Sequence, residues 1–541
     1  MSKCLQGPLG GALLMLCAGS ASAGFGDFVN SITEGVGDAA GSVGKAVGLG
    51  DVTDGLDGPF LDEVLAKSSE AAGEAQPATT PEQRQLDIRQ MRRADVTLAD
   101  IRGLEDYANQ VMAKIRAAWP DRPIPAQVRL TSSPDFGGQT LQHGTVFVSL
   151  GTLLQLDNED ELAALLGHEY SHLILGHHKK DAVDQLKDKA FDYGELLLRM
   201  QGGSSGTMTR NYAKLRIARW AASHALMPKW SRGQEAEADI LGTDLLIRAG
   251  YNTDGMKSML QKLESTAQQQ AEFVAANPIT PPDSTSGTGF QFNVGTLLDN
   301  ISGSLAKELG GDHEDARKRR ERVRGYVRDK YPDRPRPEMG FGAYAGKLKS
   351  KDTARRLGLY QKAYAAGDLL AAGGEQVAAK DLQQAGKLTL QAIKPETRHD
   401  PYLWMLLYDV RYMQHEDQSA QENLGLALDT GQAPYRTYAE LASHAFAQRQ
   451  YAETIGYLDR MQNDLGSDED MLDTRIAAVR GLNRPTGGLI ARCVATGRSS
   501  LIERCNQAAG QTGQGGSASD PLNRWGAPAG GFSPRNWLPG N

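Results

Sequence analysis

Residues 166–173 read LGHEYSHL, and that run decides how the rest of the 541-residue chain is understood. His168 and His172 are four apart. On an α-helix four residues turn about 400°, so both imidazoles leave one face, a single turn apart, and can reach one ion. Glu169 is turned about 100° from His168. It stands beside such an ion, where a carboxylate can take a proton from activated water. The alternative is an amphipathic helix that merely carries two histidines. Its surroundings oppose that: the run is apolar on both sides, and burying unpaired histidines there is costly.

Working outward, Asn158 is placed to cap this helix, with Glu161 three residues on reaching back and Leu162, Leu165 and Leu166 following. Upstream, residues 98–119 carry apolar residues at helical steps, and AQVRLTS (126–132) and GTVFVSL (144–150) read as strands. A catalytic zinc needs a third protein ligand and an open position. The best source is SRGQEAEADILGTDLLIRAGYNTDGM (231–256), where Glu235 and Asp239 share a helix face. Glu235 can bind the metal, and Asp239 can accept a hydrogen bond from a ligand histidine's other nitrogen. Taken alone, these acids also fit a plain charged helix. Glu237 points elsewhere and is expected to face solvent. His177 and His178, five and six residues past His172, fall off its face and are expected at the surface. His143, His224, His399, His415 and His444 show no partner pattern.

The whole chain is 40% hydrophobic and 23% charged, with net charge −7. This balance argues for solubility and against nucleic acid as a general partner. No apolar run reaches the roughly 18–20 residues of a membrane span. Residues 1–23 read as a cleavable export signal: Lys3, the apolar stretch Leu9–Ala18, then Ala21-Ser22-Ala23. A lipid anchor at Cys17 would have bulky Met15 and Leu16 before it. Loss of this segment removes Lys3 and leaves a net charge of −8. Cys493 and Cys505 then remain as an even pair, most simply one disulfide in an exported chain.

The expected organisation is a signal at 1–23, a partly disordered Gly/Ala-rich lead-in at 24–84, a metal-binding domain at 85–345, a helical repeat domain at 354–505 and a disordered tail at 506–541. Gly37, Gly41, Gly44 and Gly48 fall at helical steps, which leaves open a loose lead-in or a helix that touches a membrane. QGGSSG (201–206) and the 266–298 stretch are expected loops. ARKRRERVRGYVR (316–328) is expected as a basic helix with a solvated face, or else as a contact for anionic lipid or an acidic partner. From about residue 354, a shift of 34 residues pairs Trp404 with Tyr438, Leu407 with Leu441, Ala420 with Thr454, Leu424 with Leu458 and Ala427 with Met461. That period of helix pairs resembles tetratricopeptide repeats, with a non-repeating bundle as the alternative.

ELAALLGHEYSHLILGHH (161–178), SRGQEAEAD (231–239) and RAGYNTDGM (248–256) together resemble the M48 family of zinc metallopeptidases, and its bacterial periplasmic branch in particular. The resemblance implies a mainly α (α+β) fold: a helical gluzincin-type domain with a small β-sheet, then the repeat domain. It implies one Zn2+ per chain on His168, His172 and Glu235, with Glu169 as catalytic base and Asp239 as partner of a ligand histidine. Relatives carry a His-Pro segment with an arginine six residues after the histidine. Here His313 and Arg319 have that spacing, but Glu314 replaces the proline; His313 is a candidate to sit over the zinc, steady an oxyanion or block the site. The Asn-Ala pair usual before the cleft strand is absent from DFGGQTLQHGTVFVS, although Gly144–Ser149 could still serve as an edge strand for extended substrate. The activity implied is a periplasmic endopeptidase acting on unfolded or misassembled proteins in outer-membrane quality control. Its repeats would dock the assembly machinery, with peripheral membrane contact and no nucleic acid. The rival reading is a chaperone or scaffold that works through the repeats while the peptidase site is closed or idle.

Overall fold

A three-stranded sheet and a layer of helices position the site. The computed structural model describes residues 56–70, 79–121, 124–179, 212–213, 215–217, 230–277, 317–334, 336–373 and 377–510. The signal at 1–23, most of the 24–84 lead-in, the 201–206 loop, His224, His313 and the end beyond 510 lie outside these residues.

Strands β1 (Gln127–Thr131), β2 (Gly138–Thr140) and β3 (Thr145–Ser149) lie in the order β1-β3-β2. β1 runs parallel to β3, and β2 runs antiparallel to it. All five residues of β3 are buried. A strand covered on both faces reads as a continuous β-branched and aromatic run, which is how TVFVS reads. The expectation of an edge strand at Gly144–Ser149 is therefore corrected: β3 is central, and β2 beside it lies at the rim. The sequence masked this because GGQT is short and glycine-rich, a poor strand by propensity.

The motif helix, Glu159–Ile174, is buried from Glu159 to Leu173. Its start is capped as the sequence implies: the Asn158 side chain accepts from the Glu161 N–H, and Glu161 accepts from the Asp157 N–H at 2.8 Å. Its buried acids are neutralised or bonded. Glu159 accepts from Tyr107 (2.6 Å), Lys114 (2.9 Å) and Tyr251 (2.8 Å). Asp160 accepts from the backbone N–H groups of Asn252 (2.7 Å) and Gly340 (2.6 Å). Such anchoring is what allows charged groups to stay inside.

Around it pack helices Arg102–Ala118, Arg232–Arg248 and Asp254–Ala276. The last corrects the expected 266–298 loop. Its first part is helical through Ala276, because QQQAEFVAA has good helix formers and the proline-rich signal begins only beyond it. Residues 317–330 form a further helix, and it is not simply solvated: Arg319, Val323 and Tyr326 are buried.

Helices Pro401–Met413 and Tyr435–Ala447 begin 34 residues apart, as do Asp417–Asp429 and Tyr451–Leu465. Their shared core holds Ala420, Leu424, Ala427, Tyr438, Leu441, Leu458 and Met461. The preceding pair, Lys351–Ala372 and Ala379–Ala392, does not keep that spacing. Three short helices follow, Leu472–Gly481, Gly487–Ala495 and Ser499–Ala508; a Cys493–Cys505 disulfide joins the last two. The helical half is bonded to the sheet half. Asp400 accepts from Ser132 at the end of β1 and from Tyr360 at 2.7 Å, while Arg92 donates to the Ala433 carbonyl at 3.0 Å. Among the described residues, no helix is long and apolar enough to cross a membrane.

Candidate metal centre

The helix that carries the acids, Arg232–Arg248, starts at a reciprocal cap: Ser231 accepts from the Gln234 N–H, and Gln234 accepts from the Ser231 N–H. Glu235 therefore lies in the first turn and Asp239 one turn later. This helix approaches the motif helix through two glycines. A Cβ on Gly242 would meet the His168 backbone nitrogen at 2.9 Å, and one on Gly167 would meet the Gly242 carbonyl at 3.2 Å. Only bare backbone allows so close an approach, and it places both acids against the two histidines.

His168 Nε2 and His172 Nε2 are 3.2 Å apart. Glu235 Oε2 is 3.5 Å from the first, and Glu235 Oε1 is 3.8 Å from the second. Four-coordinate zinc with bonds of about 2.0–2.2 Å has ligand atoms roughly 3.3–3.5 Å apart. Taking one donor atom from each residue, the three lie within 4.8 Å of one another, close enough to share one ion, and two imidazoles with a carboxylate form a donor set suited to zinc. Among the described residues, this is the one group of histidine, cysteine and acid side chains so converged.

Around the triangle the charges are ordered. Asp239 faces His168 Nδ1 at 3.0 Å. Arg319 donates to both Asp239 oxygens (2.7 and 2.9 Å) and also reaches Glu235 Oε2 at 2.9 Å. Burial alone would push the Asp239 carboxyl up, but Arg319 and His168 outweigh it and hold it well below the ordinary range. Burial, followed by its histidine and arginine neighbours, holds His172 well below the usual imidazole range, so it is neutral and fit to bind metal. For His168 burial acts in the same sense, yet Asp239 and Glu235 override it and raise its affinity for a proton. Burial pushes the Glu169 carboxyl up to about 7, partly offset by His168 and by the Thr140 backbone N–H that faces it. A carboxyl poised there suits general acid–base work near neutrality.

One expectation fails here, and a second omits a contact. His177 is not at the surface: it is 2% exposed, and its Nδ1 lies 2.8 Å from His172 Nδ1. Glu237, although 40% exposed, meets His177 Nε2 at 3.1 Å. Counting positions along a continuing helix led away from this contact, because the helix ends at Ile174 and Gly176 adopts φ +63°. That left-handed residue turns the chain back over His172. Trp230 stacks on the His172 ring at 4.6 Å and flanks His177 and His178; nothing in the sequence pattern pointed to it. Arg319 was marked by its spacing from His313, and His313 itself lies outside the described residues.

Two histidines and a carboxylate that could hold a metal ion, with a buried glutamate beside them, form an arrangement suited to a metallopeptidase. Residues 104–292 match peptidase family M48, and this part of the chain is an M48 peptidase domain. The chain is similar to the β-barrel assembly-enhancing protease of Yersinia pestis, 28% identical over 162 residues, which is 28% of this chain and 29% of that protein. It is also similar to two proteins of Escherichia coli (strain K12). Metalloprotease YcaL is 28% identical over 143 residues, 26% of this chain and 52% of that protein. Metalloprotease LoiP is 26% identical over 139 residues, with the same two shares. The match thus spans between about a third and a half of these relatives' length.

Proposed function

We propose that the chain is a periplasmic zinc endopeptidase that cleaves unfolded or misassembled proteins. The observation that carries this reading is the triangle of His168, His172 and Glu235 with Glu169 beside it. A bound Zn2+ supplies Lewis acidity to a scissile carbonyl and to a water molecule. Glu169 takes the proton from the attacking water and delivers it to the leaving nitrogen. His168 is held by Asp239, and Arg319 holds Asp239 and Glu235 in place.

Extended polypeptide is the substrate class that suits the sheet rim. Leu141 donates to the Thr145 carbonyl and Ser149 to the Gly137 carbonyl, so alternation turns the backbone groups of Gly138 and Thr140 away from β3. Gly138, which is only partly buried, can pair with extended substrate there, while the Thr140 N–H faces Glu169. Export and a role in outer-membrane protein quality control are supported by the signal-like residues 1–23, the disulfide and the name of one relative. The helix pairs from Pro401 to Leu465 are proposed as tetratricopeptide-like and as the surface that docks assembly partners.

Cleavage of a reduced, alkylated protein by the wild-type chain and by Glu169→Gln tests the catalytic reading. The variant is expected to retain zinc and lose roughly 10²–10⁴-fold in rate. Equal rates would assign the cleavage to something else and favour the scaffold reading.

A further inference from the structure

We infer that His177 and Glu237 form a proton-ordering relay that positions His172 as a metal ligand. The inference rests on the zinc reading above, and it starts from the acceptor at its outer end. A carboxylate only accepts hydrogen bonds. Glu237 Oε2, 3.1 Å from His177 Nε2, therefore requires the proton of a neutral His177 to sit on Nε2. The Nδ1 of the same ring is then left as an acceptor. It lies 2.8 Å from His172 Nδ1, so that nitrogen must be the donor. With its proton on Nδ1, His172 presents a lone pair at Nε2, the atom that faces His168 Nε2 and Glu235. One surface carboxylate thus selects the tautomer of a buried ring two hydrogen bonds away.

The same task is done for His168 by Asp239 directly. Among the described residues the partner of His172 Nδ1 is not an acid but His177, which fills the gap. Packing fixes the geometry. Gly176 turns the chain back, the 3-10 turn His177–Lys179 holds His177 over its partner, and Trp230 lies flat against the His172 ring at an interplanar angle of 18°. His177 and Glu237 do not touch the reacting atoms; they are positioning residues. Partners of this type commonly change metal affinity by 10–100-fold.

The test measures zinc affinity by competition with a chromogenic chelator, on the full chain, for wild type, Glu237→Ala, Glu237→Gln and His177→Ala. Glu237 is on the surface, so its variants fold as wild type does; melting of the zinc-free proteins checks this. Glu237→Ala is expected to weaken zinc binding at least tenfold, and His177→Ala at least as much. Glu237→Gln is expected to recover most of the loss, because its amide oxygen still accepts from His177 Nε2. In the zinc-loaded wild type, imidazole 15N spectra should show the His172 proton on Nδ1, and in Glu237→Ala that signal should broaden or shift. Affinities of Glu237→Ala and His177→Ala within twofold of wild type would overturn the relay while leaving the zinc site standing. A folded wild type that takes up no zinc would overturn both. Equal weakening by Ala and Gln at 237 would also overturn it, since proton ordering demands that the acceptor matter.

Discussion

A methyl group on Gly242 would lie 2.9 Å from the backbone nitrogen of His168. The two residues are on different helices, and their contact sets how far Glu235 and Asp239 stand from the histidines. Gly242→Ala must push the helices apart by a few tenths of an ångström or more. Overpacking of this kind costs about 1–3 kcal/mol. The larger effect is expected on function, since a misplacement on the order of 1 Å can cost 100-fold. Denaturant melting, zinc content and peptide cleavage should show a variant that folds, binds zinc weakly and is nearly inactive. Gly325→Ala is the control: nothing lies within 4 Å of a Cβ there, and the helix should gain about 0.5–1 kcal/mol.

Arg319 spans Asp239 and Glu235, and Asp239 is almost wholly buried. Arg319→Ala leaves a buried carboxylate without its cation. Removing one member of such a pair costs roughly 3–5 kcal/mol. Arg319→Lys should recover only part of this, because a single ammonium cannot reproduce two parallel bonds to Asp239 together with the third to Glu235. Chemical denaturation at pH 7 would read the order wild type, Lys, Ala. If Ala matched wild type, the pair would contribute nothing to the native state.

The parts of this centre that were legible in the sequence are those fixed by helical spacing. His168, Glu169 and His172 stand on one helix, Glu235 and Asp239 on another, and each set can be read from a repeat of four. What brings the two helices together was not legible, because a glycine announces space without saying what occupies it; Gly167 and Gly242 matter only as a facing pair. His177 was misjudged for a related reason. Its contact with His172 depends on one backbone angle at Gly176, and periodicity ends where the helix ends. In the sheet, β2 is not legible since its three residues, GQT, are too few to show alternation and hold a single β-branched side chain, Thr140, after a glycine, yet they lie beside Glu169. Among the distal helices the 34-residue offset survived because large and small residues must alternate wherever helix pairs stack.

The Cys493–Cys505 bridge closes a short loop, with a sequence separation of 12, between the last two described helices. Constraint of an unfolded loop of this size is worth about 3 kcal/mol. Reduction, or the double change Cys493→Ala with Cys505→Ala, is expected to loosen the helices Gly487–Ala495 and Ser499–Ala508 and leave zinc affinity unchanged. Hydrogen exchange by mass spectrometry would show the protection lost there and retained in the motif helix. Faster exchange in residues 159–174 would mean that the end of the chain supports the metal centre, contrary to expectation.

Asp400 joins the two halves of the molecule and supplies a pH signature. It is buried, and it accepts from Ser132, from Tyr360 and from the Tyr402 N–H at 2.9 Å. Burial raises its carboxyl to about 6, against 3.8 for a free one; the hydroxyl and amide donors offset only part of that. The folded chain therefore binds a proton here over a window, about pH 4 to 6, in which the unfolded chain has released it. Stability then falls as pH rises through this window and stays lower above it. The difference is about 3 kcal/mol. Asp244, raised to about 6, and Glu440, raised to about 7, slope in the same direction, so the wild-type curve alone does not isolate Asp400. Comparison with Asp400→Asn does. The amide cannot ionise, and the Ser132 and Tyr360 hydroxyls can rotate to suit it. Melts of both proteins at pH 4.5 and 7 should show the variant losing less stability over that interval than wild type. Parallel curves would mean that Asp400 keeps its charge across the whole range and that the junction is insensitive to acid.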